Sequence, residues 1–598
     1  MYNIKLEYNM KIKNILLMTT VMAGVSLTSC ENFTDIAPLD SFTDESYWNT
    51  PNDLKLYANG LYGLMSGPTA TGDSQSDNIV TNSYNSYLFN EITKPASAGS
   101  GNGWYWNDIR ACNYFLQRYE KVQGDKAEIN KYVAEVRFFR SLLYYNKIQM
   151  FGDVPWYETD LNTGDTEELY KGRDSRDMVL GKVIEDLEFA IANLPEKGNE
   201  ESGRINKDAA RTQLARVCLY YGTYKKYHKE TSGTLTSADL LGKAATLTDA
   251  IISSGKYEIV KGQDAGCGQD AFEGYPLYYS NQFVQEDLKD NKEAILCRYY
   301  VTGVLTHETG RQVSQNGMGL SKDFVESFLM KDGTPIYNTG SGYQGDDNQD
   351  AEFANRDPRI YQIIDNKNKP FTVQNGVRES HVGNVNSNQG VTGYPCVKFR
   401  SADTKQAEAR NTTYDWFVYR YAEVLLINAE AKAELGTCTQ EVLDNTINKL
   451  RDRVEMAHLS VNPVADAKPI NYGYELSNLL YEIRRERRIE LVAEGFRMDD
   501  LRRWNAMTLL ENPKTMFGLK VTSDIEDIYS KQNVSFDGES GRPTIEFEGA
   551  RYLYQYKGQK ELDDAGRKWS ADDRRWLYPI PTNEIVLNKN LTQNKGWE

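Results

Sequence analysis

The sequence predicts a mainly α-helical fold, a helical-repeat array broken by long irregular insertions and a few short strands. Two observations carry this reading. From Thr50 to Ser253, with one interruption, and again from Tyr419 to Trp504, apolar residues recur at helical spacing. Between Gly255 and Asp415 that rhythm is largely lost, and Gly, Asn, Asp and Tyr dominate. At 598 residues several domains would be the default. A repeat array is the exception, because each unit packs only on its neighbours.

The elements follow in chain order. Lys11 and Lys13 precede an apolar run from Ile15 to Thr28, which at 14 residues is too short to span a bilayer as a helix. A basic start and a short apolar run spell a secretory signal over residues 1–29. The run ends Leu27-Thr28-Ser29-Cys30, a lipobox, so Cys30 is the expected lipidation site, anchoring without spanning. Met10 serves as a start as well as Met1, since the preceding residues add nothing to the signal. Residues 30–50 read as a polar, lipidated tether.

A first helical region covers 51–255. Thr50 is placed to cap a helix, with Pro51 at its first position and acidic Asp53 at its third. From Ser66 to Gly103 the pattern dissolves into an insertion holding Asp77, Tyr84, Tyr87 and Asn102, with Trp104 just beyond. A loop of this length without periodicity is usually functional or mobile. Helix resumes with Trp106, Ile109, Cys112/Asn113 and Leu116 on one face, so Trp106 is expected in the core and Trp104 toward a ligand. Further helices include Glu135 to Met150, stopped by a Gly-Asp-Val-Pro turn, Ile205 to Tyr224, and Ala238 to Ser253.

Residues 256–415 form an irregular insertion region, the expected ligand face, with strand-like pieces at Ala294–Tyr300 and Tyr394–Phe399. Tyr275, Tyr278, Tyr279, Tyr299 and Tyr300 cluster there. Helices return in 416–598. Tyr421 to Leu435 forms the first, with Gly436 placed to close it at positive φ. Leu443, Ile447, Leu450 and Val454 mark one second helix, and a third runs from Leu476 through an Arg/Glu run to Trp504. Within that run Glu482–Arg485 and Arg487–Glu490 are opposite charges at i,i+3, and the excess predicts partners on neighbouring helices.

Several of these stretches carry a resemblance. They are YRYAEVLLINAEAKAELG, the Ile447–Arg453 stretch, EIRRERRIELVAEGFRMDDLRRW and the closing LYPIPTNEIVLNKNLTQNKGW, joined by NKEAILCRYY, SKDFVESFLMKDGTPI and NRDPRIYQII. Together they resemble the SusD/RagB family. The resemblance implies a tetratricopeptide-like array of four helical-repeat units. It also implies an outer-membrane lipoprotein of a Bacteroidetes-type bacterium, capturing a nutrient for a TonB-dependent (SusC-like) transporter. The array would face the barrel and the insertions the ligand.

Composition narrows the chemistry. A net charge of −16 argues against nucleic acid and gives no basic patch for anionic lipid. No phosphate loop, nucleophile elbow, HExxH or dinucleotide fingerprint occurs, and His228, His307, His381 and His458 show no metal-ligand spacing, so neither catalysis nor a cofactor is expected. Asp346, Asn348, Asp350 and Asp357 fall at positions 1, 3, 5 and 12 of a calcium loop. That loop lacks the position-6 glycine and the final glutamate, so it is a weak candidate. Cys112 and Cys218 read as small buried side chains, Cys267, Cys297 and Cys396 as thiols able to bridge after export, and Cys438 is left unassigned.

Binding is the expected function. Sugars present apolar CH faces beside hydroxyls, so exposed rings stack while amides bond the rims. With aromatics at 12% and 40 tyrosines, the chain is well supplied. Trp104 with Asn102, and Tyr84 and Tyr87 with Asn82 and Asn85, are loop candidates beside Asp77 and the five tyrosines from Tyr275 to Tyr300. An oligopeptide would use the same groups, and a scaffold without a nutrient ligand would use none.

Overall fold

The computed structural model describes residues 44–598 apart from 71, 263–270, 314, 316, 375–376, 381–384 and 386–389. The signal, Cys30, Cys267 and His381 lie outside the described residues. Eight described helices have ten or more residues. They are α1 (Pro51–Leu61), α2 (Asn107–Leu116), α3 (Lys126–Phe151), α4 (Arg176–Asn193), α5 (Lys207–Tyr227), α6 (Ser237–Ser253), α7 (Tyr421–Glu434) and α8 (Asn478–Glu490). No described helix is long and apolar enough to cross a membrane.

Local chemistry caps these helices, at Thr50 and Gly436 where the sequence places the caps. The Asp53 carboxylate accepts from the Thr50 N–H at 2.8 Å and from its hydroxyl at 2.9 Å. Asp125, Ser175, Asn206 and Ser477 each accept an N–H three residues on, satisfying donors that have no partner within their helices. Gly436 ends α7 at φ +72°. Each helix from α3 to α7 then packs on its successor, α7 also packs on α8, and α1 and α2 lie against α3. The backbones of α5 and α6 come close at Gly222, where a Cβ would stand 2.8 Å from Leu241.

The array's core runs through Phe138, Tyr144, Leu187, Leu214, Val217, Leu425 and Ile483. Two further cores lie outside it. One sits under the insertion around Tyr279, Phe324, Ile360 and Tyr394, and the other joins Tyr87 and Phe89 to Trp504 and Trp569. Strand content is small: four two-stranded antiparallel ribbons among the described residues. Ala294–Arg298 is one of these strands and pairs with Trp416–Arg420. The expected strand at Tyr394–Phe399 does not form, and Cys396 makes only a single bridge to Ile364.

Two expected helices are each split. The second breaks at Thr446 into Gln440–Asn445 and Ile447–Arg453. The third ends at Glu490 and restarts as Arg497–Arg503. Here the buried Asp73 carboxylate, from the 66–103 insertion, accepts the N–H groups of Ala493 and Gly495 at 2.8 and 3.2 Å. Ala493 and Gly495 take φ +64° and +89°, which no helix accommodates. A remote carboxylate therefore decides where this helix stops.

The Arg/Glu run is interior. Glu490 is fully buried and ion-paired to Arg359 at 3.1 Å, Arg420 at 2.8 Å and Arg453 at 2.6 Å. Burial pushes its carboxyl up, but Arg453, Arg420 and Arg359 together hold it well below the ordinary value. Glu430, buried against Arg503 at 2.6 Å and the Trp504 indole N–H at 2.7 Å, is held at about 2: burial raises it and Arg503 overrides. The Glu482–Arg485 pair forms within the helix at 3.2 Å.

Candidate ligand-binding cleft

The insertion region opens a cleft of about 440 Å³, lined by Tyr275, Tyr278, Phe353, Asn355, Tyr361 and Asn368, with charged groups at its edge. That volume falls in the range of small-molecule sites. Its wall is built by the segment Asn355–Ile364. Asp357 pairs with Arg359 at 2.7 Å, and Arg356 donates to the carbonyls of Val325, Phe328 and Glu352, so this turn is fixed from beneath. The short helix Arg359–Ile363 then presents Tyr361, whose hydroxyl donates to the Pro276 carbonyl at 2.8 Å. Tyr275 meets Tyr361 edge to face at 5.2 Å and 90°. Tyr275 remains 37% exposed, so this rigid aromatic corner has a free face.

Polar groups are left over around these rings. The side-chain amides of Asn355 and Asn368 make no hydrogen bond among the described residues, although Asn368 is half-buried. Asn355 holds φ +54°, a left-handed conformation that Asn tolerates, and its carbonyl accepts from Lys331 N–H at 2.7 Å. Lys367 and Asp350 pair at 2.6 Å on the exposed edge, and Lys261 lies 4.6 Å over the Tyr278 ring. An aromatic platform with free amide donors and acceptors can bind a neutral polar chain by stacking and hydrogen bonds.

The sequence-predicted candidates divide sharply. Tyr275 and Tyr278 line this cleft. Trp104 is 2% exposed, against the expectation that it faces a ligand. The Asn102 side chain accepts the N–H groups of Gly99 and Trp104, and Gly103 turns at φ +76°, folding Trp104 edge-on to Phe151 at 4.9 Å and Trp106 at 5.4 Å. Trp106, expected in the core, is half-buried and packs against it. Tyr87 is buried and donates its hydroxyl to the Arg575 carbonyl, while Tyr84 packs half-buried edge-to-face on Phe89. Tyr279 is fully buried and donates to the Glu490 carbonyl. Tyr300 is buried edge-on to His307, and Tyr299 packs beside Cys297.

Asp77 is buried and bound to Arg497 at 2.7 Å and Arg488 at 3.2 Å; burial raises its carboxyl, and these guanidiniums bring it down to about 2. It lies at the floor of a second, larger cleft of about 790 Å³, among Tyr337, Tyr481, Lys468 and Asn471. The structure does not bring the calcium-loop residues together. Asp346 pairs with Lys322 at 2.7 Å, Asn348 caps the helix Gln349–Phe353, Asp350 pairs with Lys367, and Asp357 is buried on Arg359. The four point at four different partners, and no group of three or more metal-ligating side chains occurs among the described residues. Cys112, Cys218, Cys297, Cys396 and Cys438 are all free thiols.

Sequence reasoning missed Tyr361, Asn355 and Asn368. Tyr361 and Asn355 lie in NRDPRIYQII, which stands out in the sequence only as one of the stretches that resemble the family. An Asn directly before a fixed Arg-Asp-Pro turn was the available signal.

Comparison with known proteins covers nearly the whole chain. A family model described as SusD family matches residues 270–597, and one described as starch-binding associating with outer membrane matches 39–219. The starch-binding protein SusD of Bacteroides thetaiotaomicron is 26% identical, over 99% of this chain and 100% of that protein. SusD-like protein P38 of Formosa agariphila is 22% identical, over 84% of this chain and 94% of its own length. Among solved structures, a SusD-like protein from Bacteroides fragilis superposes with a TM-score of 0.67 at 23% identity, covering 94% of this chain and 100% of that one. A SusD-like carbohydrate binding protein from the same species gives 0.65 at 21%, with coverage of 91% and 100%. With the first model alone spanning more than half of its residues, this chain belongs to the SusD family.

Proposed function

We propose that this protein is a surface-exposed outer-membrane lipoprotein that binds an oligo- or polysaccharide and delivers it to a TonB-dependent transporter. The observation that carries the binding reading is the Tyr275–Tyr361 corner with the unused amides of Asn355 and Asn368 beside it. A sugar ring stacks on the free Tyr275 face, and the amides take its hydroxyls. The family's outer-membrane association and the starch-binding relative support a glycan over other polar chains. The lipobox at Cys30 supports the anchor.

The test is a glycan array and affinity gels on the protein lacking residues 1–30, with Tyr275→Ala alongside. One glycan class bound by the parent and lost in the variant is the expected result. Binding that survives Tyr275→Ala moves the site to the Tyr337–Tyr481 cleft. No glycan binding, with oligopeptides bound instead, overturns the reading.

A further inference from the structure

The closing segment makes a surface that the binding reading does not use. Leu169 and Tyr170 are 37% and 48% exposed, and Val586 and Leu587, at the end of the short helix Thr582–Leu587, are 58% and 68% exposed. More than 400 residues separate these pairs in sequence, yet the chain fastens their segments together. Asn590 donates to the Tyr170 carbonyl at 2.6 Å and Asn588 to the Lys171 carbonyl at 2.9 Å. Arg173 donates to the Thr592 carbonyl at 2.9 Å and the Asn594 side chain at 2.7 Å. The polar groups of this seam are thus satisfied inward, while four large apolar side chains are held outward.

The border of the patch is acidic. Asp165, Glu167 and Glu168 are exposed beside Leu169 and Tyr170, and Glu584 precedes Val586 by half a helical turn, whereas Lys171 is paired to Glu168 at 3.4 Å and Asp174 at 3.0 Å. Glu168 and Glu584, from the two separate segments, converge on Tyr157, whose phenol is pushed up to about 12 by burial first and then by Glu168, Asp174 and Glu584. Lys589 is an exposed base two residues beyond Leu587.

An ordered apolar centre with a predominantly acidic border has the anatomy of a protein interface. Its charge chooses the occupant. A second copy docking by the same patch would set acid against acid, and anionic lipid would be repelled. We propose that Leu169, Tyr170, Val586 and Leu587 form a docking surface for a protein that presents an apolar centre bordered by Lys and Arg. Resting on the delivery reading above, that protein is the outer rim of the TonB-dependent transporter.

The experiment uses the full, anchored chain in its own outer membrane. A benzophenone side chain at position 586 is photo-activated, with the same group at Leu56, an exposed apolar residue on α1, as control. Crosslinking to the transporter from 586 and not from 56 is expected. Crosslinks only to lipid, or only to a second copy, overturn the proposal. In parallel, Val586→Glu with Leu587→Glu is expected to cut co-purification of the transporter at least tenfold at unchanged glycan binding and melting temperature. A transporter that co-purifies equally with both proteins overturns this surface and leaves the delivery reading standing. A transporter absent even with the unaltered protein overturns the delivery reading itself.

Discussion

The Arg/Glu run and the tyrosine cleft are both dense in polar groups, and the fold uses them in opposite ways. Around Glu490 the charges are buried on one another: Arg359, Arg420 and Arg453 come from three separate parts of the chain and converge on one carboxylate. Around Tyr275 the rings and amides stand at a surface, and the side-chain amides of Asn355 and Asn368 hold no partner among the described residues. A polar group satisfied inside the protein positions the chain, and one left unsatisfied at an edge is free for a ligand. Loss of a residue from the first region should therefore cost stability, and loss from the second should cost affinity.

The largest effect tests the first half of that contrast. Glu490→Ala removes the one carboxylate that three buried guanidiniums share, leaving Arg359 on Asp357 and Glu486, Arg420 on Glu293 and Glu494, and Arg453 on Glu293, with more buried positive charge than these can balance; it should destabilise the protein by about 3–5 kcal/mol. Denaturant unfolding followed by circular dichroism reads it directly. A loss under about 1 kcal/mol would mean that Asp357, Glu486, Glu293 and Glu494 suffice for the arginines, and Glu490 would no longer be what locks the insertion to the array. Trp104→Ala should cost about 3–5 kcal/mol for the same reason in apolar form, a large cavity beside Phe151. If instead the variant melts like its parent and loses glycan, Trp104 belongs with the second region.

Acid probes the buried carboxylates directly. Glu430 and Asp77 are held at about 2, below their unfolded values of about 4.3 and 3.9. With folded values depressed, their contribution is fully present above the unfolded values and is lost as pH falls toward 2. Stability should therefore drop steeply between about pH 4.5 and 2. Glu430→Gln should be less stable at pH 7 and show a shallower acid limb in the same window. Equal slopes for the two proteins would remove Glu430 from the account.

How much of this was legible in the sequence follows the same division. The array was, because a helix writes its period, cap and stop within a few residues: Thr50–Asp53 and Gly436 formed as their local chemistry required. The ends of the third helix were not, since Ala493 is turned by Asp73, some 420 residues away. Trp104 and Tyr275 look alike as loop aromatics. Only the Asn102 turn and the wall of Tyr361 separate a buried ring from an open one, and both are tertiary. Asp346, Asn348, Asp350 and Asp357 had calcium-loop spacing, but Lys322, Lys367 and Arg359, all outside the motif, took the charges.

On the affinity side, Tyr275→Ala should weaken glycan binding about tenfold, about 1.4 kcal/mol, with stability changed by no more than about 0.5 kcal/mol because the ring is exposed. Isothermal titration against the glycan found on the array measures both Kd and, in a matched melt, stability. A stability loss equal to the affinity loss would erase the distinction between the regions at its clearest residue.

The smallest effect is the most discriminating, because it removes a hydrogen-bonding group and nothing else. Asn355 sits at φ +54°, so Asn355→Ala would mix backbone strain with the lost amide. Asn355→Gly keeps the left-handed turn, and the carbonyl that accepts from Lys331 N–H is retained. The exposed amide has no internal partner, so its removal should leave the melting temperature within a degree or two, while glycan affinity falls about two- to tenfold, the worth of one net hydrogen bond. An unchanged Kd would show that the amide is solvated in the complex too, and that stacking on Tyr275 alone holds the sugar. A melting temperature that falls with affinity unchanged would place Asn355 with Glu490, as a residue that builds the cleft without touching what it binds.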